Sequence, residues 1–315
     1  MMIFINLTVG LGLLLVGGRY LVQHAVQLAG KIGVSPLVIG MTIVAFGTSS
    51  PELVVSIGAI LTAHDDIVIG NIVGGNIVNI LLVLSLSVLI FPIPVSRRFI
   101  AREGTVTVGA ILMFMALCFD GVVSFTDGLV LLAGFAGFIA TTLMTGRDED
   151  QSQIDGRQHA AGTAPLRAQD LGLHGLWIAG ALTALAVGSN LFVTGAADLS
   201  RLLGVSEAVI GLTVVAVGTA APEIVIATIA AWRRESGVAI GSVLGSNMFN
   251  MLGIGGITAL VSPIAVNPHF IEVDVMVLLA ATICVVLIGY MLRSLGRVVG
   301  ALLLAAYITY TVSLF

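Results

Sequence analysis

The chain has 315 residues, of which 58% are hydrophobic and only 10% charged, with a mean hydropathy of +1.12. That is too apolar for a soluble globular domain, whose charged fraction is usually about 25%, so the bilayer is the expected solvent. A formal net charge of -4 offers no basic surface for nucleic acid and excludes little else.

Apolar stretches able to supply the roughly 20 residues of a membrane-crossing helix begin near residues 3, 37, 68, 104, 127, 174, 207, 238, 272 and 298. They predict ten helices and an all-α membrane protein. Transmembrane strands would instead show alternating segments of only about 10 residues closed into a barrel. Met1 to Leu7 carry no Lys or Arg ahead of the first apolar run, so the N-terminus lacks the basic start of a secretory signal peptide and reads as a mature helix. Cys118 and Cys284 fall in or at the end of apolar segments, where a thiol behaves as a small hydrophobe.

Basic residues remain on the cytoplasmic side. Lys31 is assigned to the first connection, Arg97, Arg98 and Arg102 to the third, Arg147, Arg157 and Arg167 to the fifth, Arg233 and Arg234 to the seventh, and Arg293 and Arg297 to the ninth. The even connections hold only Arg201, while Arg19 sits inside the first apolar segment and reads as a snorkelling side chain. Odd connections are therefore expected in the cytoplasm and both termini outside, in a prokaryotic cytoplasmic (inner) membrane.

The chain repeats itself. Gly33 to Glu52, G-V-S-P-L-V-I-G-M-T-I-V-A-F-G-T-S-S-P-E, matches Gly204 to Glu223, G-V-S-E-A-V-I-G-L-T-V-V-A-V-G-T-A-A-P-E, at an offset of 171 residues. The same offset aligns Gly74 to Asn79 with Gly245 to Asn250 and Pro92 to Ile100 with Pro263 to Ile271; between 33 and 79 there are 20 identities in 47 positions without a gap. Shared apolar composition cannot explain matched Pro, Glu, Asn and Gly. Five helices per copy is an odd number, so the second copy is expected to enter the membrane from the opposite side. Equivalent turns agree: Arg97 and Arg98 align with Pro268 and His269, while Thr62 and His64 align with Arg233 and Glu235. The predicted organisation is two inverted five-helix repeats, 1–145 and 173–315, joined by a cytoplasmic linker at 146–172. Inverted repeats with a site at the bilayer midplane characterise secondary transporters. The linker mixes Asp148, Glu149 and Asp150 with Arg147 and Arg157 and is too short for a regulatory domain.

Glu52 is expected near the centre of the second span, about 15 residues from either end, and Glu223 at the same place in the seventh. A carboxylate in hydrocarbon is costly enough that such residues face the bundle interior and mark ion or proton paths. Two of them brought together make a site of charge -2, which one Ca2+ or two Na+ would neutralise; left bare, the pair binds protons readily. Pro51 and Pro222 remove helical donors from Gly47 and Gly218. The carbonyls freed nearby, including those of Thr48 and Thr219, are hard oxygen ligands of the kind Ca2+ collects. Asn76 and Asn79, repeated as Asn247 and Asn250, lie three residues apart on a helix face and could ligate a cation through amide oxygens or simply bond between helices. Gly70, Gly74 and Gly75, with Gly241 and Gly245, are read chiefly as packing positions.

These paired motifs, G-T-S-S-P-E with G-N-I-V-G-G-N-I-V-N and G-T-A-A-P-E with G-S-V-L-G-S-N-M-F-N, resemble the two alpha repeats of the sodium/calcium exchanger family. The resemblance covers nearly the whole chain. It implies calcium ligands at Glu52, Glu223 and the main-chain oxygens of Thr48 and Thr219, with sodium contacts at Ser49, Ser246 and the carbonyls of Ala45 and Ala216. Where the family favours serine, this chain has Gly75 and Ala220, and the eighth-span position often acidic in the family is Asn250. Fewer coupled Na+ per Ca2+, or a part for H+, is the expected consequence. The implied activity is a secondary antiporter that exchanges Ca2+ for Na+ without a cofactor, its partners being those ions and the bilayer, with no nucleic acid and protein partners unassigned. A Ca2+/H+ or other divalent cation exchanger on the same scaffold stands beside it. An intramembrane hydrolase using the two acids is a remote third reading, and a passive channel is disfavoured by groups suited to tight ion capture.

Overall fold

A computed structural model describes residues 2–145, 168–204 and 216–314. The predicted linker at 146–172 and the start of the second motif at 205–215 lie largely outside the described residues. In chain order the helices are α1 Met2–Ile32, α2 Pro36–Thr48, α3 Ser50–Leu61, α4 Asp65–Ile90, α5 Arg97–Leu117, α6 Phe125–Thr145, α7 Ala168–Leu202, α8 Ala216–Thr219, α9 Ala221–Trp232, α10 Ser236–Val261, α11 Phe270–Leu292 and α12 Arg297–Ser313. Four two-residue strands, β1 Ile93–Pro94, β2 Val122–Val123, β3 Ile264–Ala265 and β4 Ser294–Leu295, stitch the connections.

Among the described residues seven helices are long and apolar enough to cross a membrane, and α2 with α3 makes an eighth, bent by 43°. The shorter apolar helices α9 and α12 occupy the two remaining places where the sequence predicts a span. Lys31 falls in the last turn of α1, not in a connection, because that helix runs on to Ile32.

The break between α2 and α3 follows from the sequence. Pro51 cannot donate to the carbonyl four residues back and crowds the preceding turn, so the helix stops at Thr48 and Ser49 leaves helical geometry at φ -88°, ψ 7°. A new helix starts with proline in its first turn, where the missing donor is harmless. The second half repeats this at Ala220, φ -80°, ψ 4°, with Pro222 in the first turn of α9. Glu52 thus lies in the first turn of the second half of the bent span α2–α3.

α10 is the central helix, its apolar window wholly buried, and α4 is mostly buried beside it. α1 and α7 run antiparallel along one another. A Cβ on Gly10 would meet Phe192 and Gly188 backbone atoms at 2.6–2.9 Å, and one on Gly17 would meet the Ala181 carbonyl at 2.9 Å; small residues let the two backbones touch without a hydrophobic drive between them.

The strands pair across the halves. β1 joins β4 with Ile93 opposite Leu295, and β2 joins β3 with Val122 opposite Ala265. The offset of 171 carries β1 onto β3 and Val123 onto Ser294, so each pairing is the image of the other. The two pairings lie at opposite ends of α5, whose 21 residues cover about 31 Å at 1.5 Å per residue. Arginines gather at the β1–β4 end, where Arg97 Nε donates to the Tyr290 carbonyl (3.1 Å) and Arg297 Nε to that of Leu89 (3.0 Å). At the β2–β3 end Asp65 accepts from the Ala265 N–H (2.9 Å) and Asp127 from that of Ser124 (2.8 Å).

Candidate functional site

Glu52 and Glu223 occupy equivalent positions in the first turns of α3 and α9, and both are almost fully buried, at 5% and 3% exposure. A helix N-terminus presents unpaired N–H groups and the positive end of its dipole, which is how a half-helix tolerates an acid in an apolar interior. The two acids line one cavity. Ser49 Oγ, at the break that precedes Glu52, donates to Oε1 of Glu223 at 3.2 Å. Thr48 Oγ1 and Ser246 Oγ lie 3.3 Å apart, and Asn76 Nδ2 donates to the carbonyl of its own repeat mate Asn247 at 3.2 Å.

Their remaining oxygens are unsatisfied. Of eight buried side-chain polar atoms without a hydrogen-bond partner among the described residues, six belong to Glu52, Glu223, Asn76, Asn247 and Asn250, including Oε2 of both acids. Leaving a buried acceptor unpaired costs about 1–3 kcal/mol, more when it is charged. Three of the six, Oε2 of each acid and the Asn250 amide oxygen, belong to residues that line one cavity.

A cavity of about 520 Å³ reaches the acids and is lined by Glu52, Glu223, Asn79, Asn250, Thr219 and Ala220 at its inner end. Its outer part is bounded by Ile67, His269 and Leu314. Ile67, beside Asp65, and His269, close to β3, place the mouth at the β2–β3 end. Asn76 and Asn247 are parted from Asn79 and Asn250: they line a separate small space with Thr107 and Met251. Wide helical turns begin at Asn79 and at Phe249, each rotating the residues that follow relative to a regular helix. Such turns recur at functional sites.

The other predicted positions are held as follows. Ser246 is fully buried against Thr48, and the Ala45 carbonyl accepts from the Ser49 N–H (3.0 Å) and Thr48 Oγ1 (3.2 Å). Ala216 is the first of the described residues in α8. Gly218, one of the carbonyls that loses its helical donor to proline, accepts from Ser189 Oγ of α7 at 2.7 Å. A Cβ added to Gly75 would lie 3.4 Å from Asn250 Nδ2, so the missing side chain leaves room that Asn250 borders.

Two contributors escape motif reading. Asn71 Nδ2 donates to the Glu52 carbonyl (2.9 Å) and to Ser56 Oγ (2.8 Å), fastening α4 to the acid-bearing half-helix. Its sequence signal is an amide inside an apolar span next to Gly70, but its repeat mate is Ser242, so the repeat does not flag it. Asp274 and Tyr310 line the same cavity farther out.

The family described as "Sodium/calcium exchanger protein" matches residues 2–144 and 173–315. The putative antiporter CaxA of Alkalimonas amylolytica is 32% identical over 98% of this chain and 97% of its own length. The sodium/calcium exchanger MaX1 of Methanosarcina acetivorans is 30% identical over 99% and 98%. Among solved structures, the sodium-calcium exchanger NCX_Mj, soaked with Na+ and Ca2+, superposes with a TM-score of 0.86 at 30% identity, covering 100% of this chain and 99% of that one. The chain belongs to the sodium/calcium exchanger family and is an integral membrane transporter, not an enzyme.

Proposed function

We propose that this protein exchanges Ca2+ for Na+ by exposing a shared Glu52–Glu223 site alternately to the two faces of the membrane. The observation that carries the reading is the Oε2 left without a partner among the described residues on each of two buried acids, from different halves, that line one cavity, with Ser49 at the break before Glu52 donating to Glu223. One Ca2+, or two Na+, would neutralise the pair, with the amide oxygen of Asn250 and the carbonyls of Thr48 and Thr219 completing a hard-oxygen shell. Ser49, Ser246, Ala45 and Ala216 are the sodium contacts, and Asn79 borders the same space. On this reading the chain has ten spans, five in each half, the second half is inverted, and both termini face outside. The arginines at the β1–β4 end and aspartates at the β2–β3 end support that orientation.

On this reading the alternation works through glycine grooves. Gly241 and Gly245 of α10 are closed against α2, where a Cβ on Gly241 would meet the Leu37 carbonyl at 2.7 Å. Their repeat mates Gly70 and Gly74 line the cavity, and among the described residues nothing lies within 4 Å of a Cβ on Gly74; positions 208 and 212, the repeat mates of Leu37 and Met41, lie outside the described residues. Alternating access asks that one groove be filled while its image is open.

A proton-coupled version has its own support, since Gly75 and Ala220 withhold two hydroxyls that would hold Na+. Purified protein in liposomes separates the two. Calcium uptake is expected to follow an imposed sodium gradient and to be small under a pH gradient alone; uptake driven only by the pH gradient would replace the sodium reading. Sodium dependence is expected to be shallow and to steepen in the Gly75→Ser/Ala220→Ser double variant. Steep dependence already present in the unaltered protein would contradict the weakened-site account.

A further inference from the structure

We propose that Asp274 is a second, weaker cation site in the outer cavity, where a hydrated Ca2+-like cation is held on its way between the surface and the Glu52–Glu223 pair. The proposal deepens the exchange reading and rests on it for its role in transport, but the site itself can be read independently.

Asp274 is 5% exposed, lies on the wide turn Phe270–Val275 that opens α11, and lines the cavity that reaches both glutamates. Its hydrogen-bond partner is Tyr310 of α12, whose Oη donates to Oδ1 at 2.7 Å. A phenol is a neutral donor: it satisfies one oxygen and leaves the carboxylate charge uncompensated. Among the described residues Asp274 forms no ion pair.

The repeat sharpens the point. Stepping back 171 residues from Asp274 gives Glu103, a buried acid on α5. Glu103 is neutralised by Arg102, with Nη2 to Oε1 at 2.7 Å. Of this matched pair, the acid on the closed side carries its own counter-ion and the acid on the open side faces the cavity without one. A buried carboxylate with no protein cation is a place for a mobile cation. One carboxylate is too few ligands for a dry calcium ion, which takes 6 to 8 oxygens, so the ion there keeps most of its water and binds loosely. That suits a staging site, which must release what it attracts.

Terbium, a hard oxygen-seeking ion that emits when excited through a nearby tyrosine, is a direct probe, because Tyr310 touches the carboxylate and Tyr307 lines the same cavity. Tyrosine-sensitised terbium emission, displaceable by Ca2+, is expected from the purified protein. It should persist in the Glu52→Gln/Glu223→Gln double variant, fall to background when Asp274→Asn, which keeps an acceptor for Tyr310, is added to that double variant, and return with Asp274→Glu in the same background. Emission from the double variant that survives Asp274→Asn, emission lost with the two glutamates, or no emission at all would each overturn the site. In liposomes Asp274→Asn should raise the half-saturating external Ca2+ at least about threefold at low salt, with the internal value unchanged and the difference shrinking as salt screens the charge. Equal shifts on both faces would make Asp274 merely structural. Should exchange itself fail, flux is flat in every variant while the terbium comparison still reads the site.

Discussion

Glutamine in place of either Glu52 or Glu223 is expected to reduce gradient-driven calcium flux to background while leaving a folded protein. Glutamine keeps the volume and one carbonyl oxygen, so packing around the first turns of α3 and α9 is preserved and only charge is removed. At about 4 Å and an effective dielectric constant near 20, one unit of charge contributes about 4 kcal/mol of attraction to another, roughly a thousandfold in affinity. A divalent ion feels more. Both carboxylates are buried, so solvent screens little of this. Either single variant should therefore be as inactive as the other, despite the different partners of the two acids, Ser49 on Glu223 and Asn71 on the Glu52 carbonyl. Flux and size-exclusion profiles of the two variants, compared side by side, check this.

Alanine at Gly245 and alanine at Gly74, chemically the same change at mates in the repeat, are expected to push the conformational balance in opposite directions. At Gly245 the new methyl would sit 2.5 Å from the Met41 carbonyl oxygen, 2.6 Å from Met41 Cα and 2.7 Å from Ala45 Cβ. These are mostly backbone atoms that cannot swing aside, so α2 must leave α10. Overpacking of this kind costs about 1–3 kcal/mol, which disfavours the state open at the β2–β3 end by about ten- to a hundredfold. At Gly74 the methyl faces the cavity and meets none of the described residues within 4 Å; on the alternating-access reading it meets the equivalent crowding when that groove closes, so the same state is favoured by a similar factor. A cysteine at Thr311, on the cavity wall, reports the difference. An impermeant thiol reagent should label it faster from the outside in the Gly74→Ala background and slower in Gly245→Ala. Both variants should turn over more slowly than the parent. Shifts of the same sign in both would separate the glycine grooves from alternating access.

Much of this site is legible in the chain itself, and the reason is duplication. A single G-T-S-S-P-E is an ordinary kinked-helix motif, but its return 171 residues later names the two acids, the two prolines and the helix breaks together. The position of the break follows from proline geometry: Pro51 and Pro222 fit the first turn of the new helix, so the chain leaves helical geometry at Ser49 and Ala220. Less legible is the division of the asparagines: their three-residue spacing puts them on one helix face, yet the fold sets Asn79 on the cavity and bonds Asn76 to Asn247. Nothing in the composition of Asn79–Val83 marks the wide helical turn there either. Asn71 escapes because the repeat does not duplicate its amide. Asp274 is a different case. The offset pairs it with Glu103, but only the fold reveals that one acid has Arg102 and the other a phenol.

Calcium binding by the purified protein, titrated for the parent, Glu52→Gln, Glu223→Gln and the double variant, tests most directly whether the two acids share one ion. Sharing predicts that each single substitution removes tight binding as completely as both together, a strongly non-additive cycle. Independent losses that sum in the double variant, or tight binding that survives either single change, would mean that the carboxylates do not converge on a common cation.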